Sequence, residues 1–121
     1  VVLHAIIDAL LGGAGLGDIG RHFPPDDSQW EGADSASLLG RTCEIVREAG
    51  FEIVNVDTTV IGERPRLAER LEEMRDRIAR VMGIDRSRVN VKATTNEGIG
   101  EIGRGEAIAA LAVASLNDGN F

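Results

Sequence analysis

Tyrosine is absent from this sequence, and its 121 residues hold only three phenylalanines and one tryptophan. Rings therefore cannot fill the interior. Small aliphatic side chains must do most of the packing, with burial between subunits as a further source of apolar contact. A single cysteine, Cys43, excludes an internal disulfide and suits a reducing cytoplasm. Surplus positive charge is lacking too: 13 Lys and Arg stand against 20 Asp and Glu, a net charge of -7. That balance argues against nucleic acid or an anionic membrane as partner, since either needs a basic face. No apolar run reaches the roughly 18 residues of a membrane span, and no signal-peptide pattern is visible. The chain opens on Val1 in mid-helix pattern, without Met or a capping residue, and reads as the remainder of a longer protein.

What is present is an alternation of helical and extended patterns over a length suited to one domain. Residues 1 to 11 place Val2/Leu3, Ile6/Ile7 and Leu10/Leu11 on one helix face, and Gly12 and Gly13 stop it. A long Gly-, Pro- and Asp-rich loop follows, too polar and broken to be core, and loops of that length are usually functional lids or disordered. Asp34 or Ser35 caps a second helix to about Ala49, with Leu38, Thr42, Ile45 and Ala49 on one side and Gly50 ending it. Residues 51 to 61 are rich in β-branched side chains and predict a strand. Pro65 suits the first turn of a third helix to Met82, with Leu67, Leu71, Met74, Ile78 and Val81 inward and Gly83 closing it. "RVNVKATT" is a second strand. The final "EAIAALAVASL" is ambiguous, since alanine favours helix while its alternation suits a strand. The whole implies an α/β layered domain.

Four groups of residues could carry chemistry. His4 and Asp8 sit four apart, so their side chains can meet. Either they form a surface ion pair, or His4 is a metal ligand oriented by Asp8; one histidine alone cannot hold zinc. His22, beside Arg21 in the loop, reads as solvated. The carboxylates of Asp18, Asp26 and Asp27 either keep a loop soluble or bind sugar hydroxyls or a cation, with Gly20 permitting close approach. Arg64 and Arg66, flanking Pro65 at a helix start, form a phosphate site or pair with Glu63 and Glu69. The stretch "NVKATTNEGIGEIGRGE" is the strongest case. Thr94, Thr95 and Asn96 offer donors at a strand end, where turning backbone also presents N–H groups to an anion. Glu97 accepts only, and makes sense with a divalent cation between it and phosphate. The stretch is thus a metal-bound diphosphate site or, more plainly, a flexible Gly-rich hairpin.

Five collinear blocks, "LHAIIDALLGGAGLGDIGRHFP", "GADS", "NVD", "ERPRL" and "NVKATTNE" with "GRGE", give the chain a resemblance over essentially its full length. It resembles the 2-C-methyl-D-erythritol 2,4-cyclodiphosphate synthases of the non-mevalonate isoprenoid pathway. The resemblance implies a cytoplasmic homotrimer in which each subunit is α/β (α+β), a mixed β-sheet with helices on one face. The sheets pack around the threefold axis with active sites between neighbours, and the final segment becomes a strand near the axis. The implied enzyme is a phosphorus–oxygen lyase. The 2-phosphate of 4-diphosphocytidyl-2-C-methyl-D-erythritol 2-phosphate attacks the β-phosphorus of its own CDP group, giving the cyclic diphosphate and CMP.

By position, the resemblance makes His4 a zinc ligand and Glu97 the ligand of a magnesium or manganese ion. Thr95 takes the position that stabilises the transition state, and Thr94, Thr95, Asn96 and Glu97 cradle the diphosphate. Asp18, Ile19 and Gly20, with Phe23, Pro24, Pro25, Asp26 and Asp27, hold the methylerythritol end. Arg64, Pro65, Arg66, Leu67, Ala68, Glu69 and Arg70 line the CDP pocket, and Arg104 stands at the inner end of the site. The sequence departs from the family at Arg66, where lysine is usual, and at Glu69-Arg70, where Pro-His is usual. Pro25 replaces a common Asp and Glu101 a common Phe. The family's N-terminal segment, with two further zinc ligands and a catalytic histidine, is expected to precede Val1, which makes this a single, N-terminally incomplete synthase domain. The alternative to an enzyme is an inactive trimeric module that still binds CDP. Fusion to a cytidylyltransferase domain is a third expectation.

Overall fold

Apolar pairs four apart do form the first helix. In the computed structural model, which describes residues 1–30, 32–63 and 66–119 (the side chains of Arg66 and Leu67 excepted), α1 spans Val2–Gly13 and buries Ile6, Ile7, Leu10 and Leu11 completely. The helix runs through the two glycines expected to stop it and closes at Ala14, whose N–H donates to Leu10 O. Packing explains the glycine: a Cβ on Gly13 would lie 3.2 Å from Leu116 Cδ1, so a bare backbone lets α1 approach the last strand.

The long loop carries two short helical turns, α2 (Ile19–His22) and a 3-10 turn (Ser28–Trp30). It also belongs partly to the core, against the expectation from its polarity. Phe23 is buried with its ring edge-on to Trp30, centroids 4.8 Å apart, a favoured aromatic geometry.

Helix α3 (Ser35–Glu48) starts where Asp34 accepts from the Ser37 N–H at 2.7 Å. That bond holds the Asp34 carboxyl below its usual pKa and satisfies one of the helix's free amides. Its buried face is Leu39, Thr42, Cys43 and Val46, rotated from the expected one; Leu38 and Ile45 flank it and Ala49 is exposed. Buried Thr42 donates to Leu38 O at 2.8 Å and so strands no hydroxyl.

Three strands make one sheet in the order β2–β1–β3: β1 (Glu52–Ile61) is central, parallel to β2 (Val89–Thr94) and antiparallel to β3 (Ala109–Asn117). A bulge in β1 between Ile53 and Asn55 shifts the side-chain phase. Ile53 therefore faces inward together with Val56, Thr58 and Val60. The ambiguous last segment is a strand, as the resemblance implies, with Ala112, Ala114 and Leu116 on the core side. The third helix is broken at Arg70 into α4 (Arg66–Glu69) and α5 (Leu71–Met82). Helix α5 buries Ile78, Ala79 and Met82, and Gly83, at φ 69°, closes it in the left-handed conformation that suits glycine. Helices α1, α3 and α5 cover one sheet face. On the other face Leu111 and Val113 stand 64% and 68% exposed.

Candidate active site

Register decides where the candidate residues meet. Ile61 pairs with Thr94 on one side and Ala109 on the other, so the segments after β1 and β2 leave the sheet at the same end. Ligands of open α/β sheets characteristically bind beyond the carboxyl ends of parallel strands. Here Gly62 N–H donates to Thr94 O at 3.0 Å. The Glu63 carboxylate then reaches across: its Oε1 accepts from Asn96 N–H at 2.7 Å and from Gly98 N–H at 3.4 Å.

The turn itself is tightly determined. Glu97 N–H donates to Thr95 Oγ1 at 3.3 Å, and Asn96 Nδ2 donates to Ile99 O at 2.8 Å. Glu97 has φ 53°, the only positive value at a non-glycine residue among those described, and such strain clusters at functional sites. Its exposed carboxylate has no hydrogen-bond or ion-pair partner among the described residues, which leaves both oxygens for a ligand. The three amides of this turn are not turned outward to an anion as the sequence suggested, because Glu63 and Thr95 already accept from them. Thr94 Oγ1 makes only a long contact, 3.5 Å, to Thr95 O. Beyond a short α6 (Gly100–Gly103), Arg104 is forked onto Glu106, with Nε–Oε1 at 3.1 Å and Nη2–Oε2 at 3.2 Å.

The other candidates are placed differently. His4 and Asp8 do not pair: His4 Nε2 shares a hydrogen bond with Ser35 Oγ at 3.0 Å, and Asp8 Oδ1 accepts from Ile19 N–H at 2.8 Å. Asp8 therefore anchors the acidic loop, not the imidazole. His22 is held too, its Nε2 2.7 Å from Leu16 O and half-buried. Within the loop Asp18 caps α2 by accepting from Arg21 N–H at 3.0 Å, and Asp27 accepts from Gln29 N–H at 2.9 Å. Ile19 and Pro24 are half-buried; Gly20, Pro25 and Asp26 are exposed; Phe23 belongs to the core. Arg64 and Pro65 lie outside the described residues, as do the side chains of Arg66 and Leu67; Ala68, Glu69 and Arg70 are exposed. Among the described residues no arginine pairs with Glu63, and the expected pairing with Arg64 and Arg66 falls on side chains outside them.

No hydrogen bond or ion pair links His4 or the loop of residues 18–27 to the turn of residues 94–98 within one chain. Among the described residues, no three His, Cys, Asp or Glu side chains gather to hold a metal. The donor set at hand is one imidazole and one carboxylate, short of the three protein ligands a catalytic zinc needs.

Residues 1–117 match the model of the YgbB family. The chain belongs to the YgbB family. A relative named 2-C-methyl-D-erythritol 2,4-cyclodiphosphate synthase, from Thermosynechococcus vestitus, is 53% identical over 98% of this chain and 74% of its own length. Among solved structures, the bifunctional IspDF of Campylobacter jejuni superposes with a TM-score of 0.88 at 43% identity, over 94% of this chain and 31% of that one. The CDP complex of Plasmodium falciparum IspF superposes at 0.80 and 32% identity, over 94% and 67%. The resemblance read from the five blocks is thus borne out, and with it the mixed α/β fold of a YgbB domain. In Campylobacter jejuni the matching part is about a third of a longer, bifunctional chain.

Proposed function

We infer that this YgbB domain is a cyclodiphosphate synthase. It converts 4-diphosphocytidyl-2-C-methyl-D-erythritol 2-phosphate to 2-C-methyl-D-erythritol 2,4-cyclodiphosphate and CMP in isoprenoid biosynthesis. The observation that carries the reading is the 94–98 turn: hydroxyls and a carboxylate without a partner among the described residues, held by hydrogen bonds at the carboxyl end of the sheet, in a chain about half identical to named synthases.

The reaction is an intramolecular displacement. A 2-phosphate oxygen bonds to the β-phosphorus, the bond from that phosphorus to the oxygen bridging the α-phosphate breaks, and CMP leaves with the electron pair. Little covalent help is required, so the protein's work is in-line positioning and charge stabilisation. Both reacting groups sit on one molecule, so holding the substrate folded recovers much of the entropy a bimolecular attack would cost.

Thr94, Thr95 and Asn96 line the diphosphate, with Thr95 nearest the charge that develops. Arg64, Arg66 and the rest of residues 64–70 receive the CDP end, and residues 18–20 and 23–27 the methylerythritol end. Arg104 exchanges Glu106 for a phosphate oxygen at the inner end of the site. His4 would supply one ligand to a zinc ion and Glu97 one ligand to a magnesium or manganese ion, the remaining ligands having to come from beyond this pair. Such ions spread the negative charge of the phosphates being joined. Completion of the site by a neighbour in a homotrimer, its sheets facing inward, fits the bare face carrying Leu111 and Val113.

Incubating the full-length protein with the substrate, with and without chelator, tests the reading. The expected result is CMP and cyclic diphosphate in equal amounts, lost on chelation and restored by zinc with magnesium. Release of CMP without ring formation, or no release at all, overturns it.

A further inference from the structure

Glu63 is a carboxylate used in an unusual way. It stands two residues beyond the end of β1, is half-buried, and pairs with no cation among the described residues. Its Oε1 instead takes two backbone amides from a segment 33 to 35 residues further on, Asn96 at 2.7 Å and Gly98 at 3.4 Å. Those amides bracket Glu97, the residue held at φ 53° with its own carboxylate unpartnered among the described residues. A carboxylate accepting backbone N–H bonds makes charge-assisted hydrogen bonds, roughly twice as strong as neutral ones. Next to it, Gly62 N–H donates to Thr94 O, so the strap is fastened on both sides of Thr95.

We propose that Glu63 is a positioning residue for the synthase reaction, a strap that fixes the 94–98 turn so that Thr95 and Glu97 point at the diphosphate. It touches no substrate; it acts through the two amides it holds. The proposal rests on the functional reading above. Its physical force is the sensitivity of phosphoryl transfer to geometry, where a misplacement of about 1 Å can cost on the order of 100-fold in rate.

Three variants of the full-length protein separate position from charge. Glu63→Gln keeps an acceptor oxygen at the same reach without the charge. Glu63→Asp keeps the charge but withdraws the oxygen by one carbon–carbon bond. Glu63→Ala removes both. Amide hydrogen exchange over residues 94–98, kcat and KM for CMP release, and Tm are measured for each.

Glu63→Gln should stay within about 3-fold of wild type in kcat. Glu63→Asp and Glu63→Ala should lose about 10- to 100-fold in kcat with KM changed by less than about 3-fold, exchange faster over residues 94–98, and melt within a few degrees of wild type. A merely structural role would move Tm and leave the order of the three variants flat. The proposal is overturned if Glu63→Asp and Glu63→Ala keep wild-type exchange and kcat, or if Glu63→Gln is as impaired as Glu63→Asp. It is overturned equally if Glu63→Ala lowers KM and speeds the reaction, since Glu63 would then be plugging amides meant for phosphate. Should Glu63→Ala fail to fold, the Gln and Asp pair decides. A wild-type protein that releases no CMP sinks the functional reading instead, and exchange over residues 94–98 judges the strap by itself.

Discussion

Gly103 sits where no side chain fits: a Cβ there would lie 2.0 Å from the carbonyl carbon of Gly98. The backbone folds onto itself at this point, and the contact closes the loop that presents Glu97. Gly103→Ala should therefore open the loop and cut CMP release by about 100-fold, the scale of a 1 Å misplacement at a reacting centre. Gly103 is half-buried and lies outside the buried core, so Tm should fall by no more than a few degrees. Kinetics and a thermal melt on one preparation check both. Cys43 illustrates the opposite case, a residue with chemistry it does not use. Burial pushes its thiol up to about 11, which keeps it protonated and inert. In the unfolded chain the thiol ionises at an ordinary value, so its contribution to stability is complete below that value and lost as pH rises toward 11. Native protein should resist alkylation at pH 8 and react once denatured, as mass spectrometry would show. At this scale the sequence was a partial guide. The crowding of donors, a carboxylate and glycines around Thr95 and Glu97 was legible as a turn beyond a strand. Glu63 was not, because its partners lie more than 30 residues away and only the strand register brings them close. The pairing of His4 with Asp8 follows from helical spacing alone, yet each found a better partner outside the helix.

Elements were legible wherever a pattern was long. Paired aliphatics gave α1, β-branched runs gave β1 and β2, and the terminal glycine gave the end of α5. Gly83 holds φ 69° there. Gly83→Ala should destabilise the fold by about 1–2 kcal/mol, the cost of placing a Cβ in the left-handed region, measured by denaturant unfolding with an unchanged m value. What stayed hidden depends on tertiary contacts. The break at Arg70 interrupts a stretch whose residues all tolerate helix. The bulge at Ile53–Asn55 changes which residues of β1 face inward without a Gly or Pro to mark it. The buried face of α3 is turned from the expected one because sheet and neighbouring helices, not periodicity alone, choose which of several apolar positions are covered. Phe23 entered the core from a loop whose polarity argued against it. For β3, alanine's helix preference and the alternating pattern disagreed, and pairing with β1 resolved them in favour of the strand.

The described residues leave one sheet face bare, and the proposed trimer would use it. Leu111 and Val113 stand opposite Thr59 and Asp57, an apolar surface flanked by the ion pair of Asp57 with Lys92 at 2.7 Å. Hydrogen bonds from Lys92 and then Asn90 hold the Asp57 carboxyl below its usual pKa. This pair therefore favours the folded state at neutral pH, and that contribution is lost as pH falls below the ordinary carboxylate range. If the face is the trimer seam, Val113→Asp should convert a sedimenting trimer to monomer and abolish CMP release together, since the proposed site is complete only between neighbours. The proposed chemistry depends on Glu97 holding a divalent cation against the diphosphate. Its most direct test is CMP release by full-length wild-type and Glu97→Gln protein as magnesium is titrated. Ring formation is expected of the wild type, with a half-saturating magnesium concentration raised by about 10-fold or more in the variant, since losing even an outer-shell partner of a metal ligand costs about that much. Identical magnesium curves for the two proteins would contradict it.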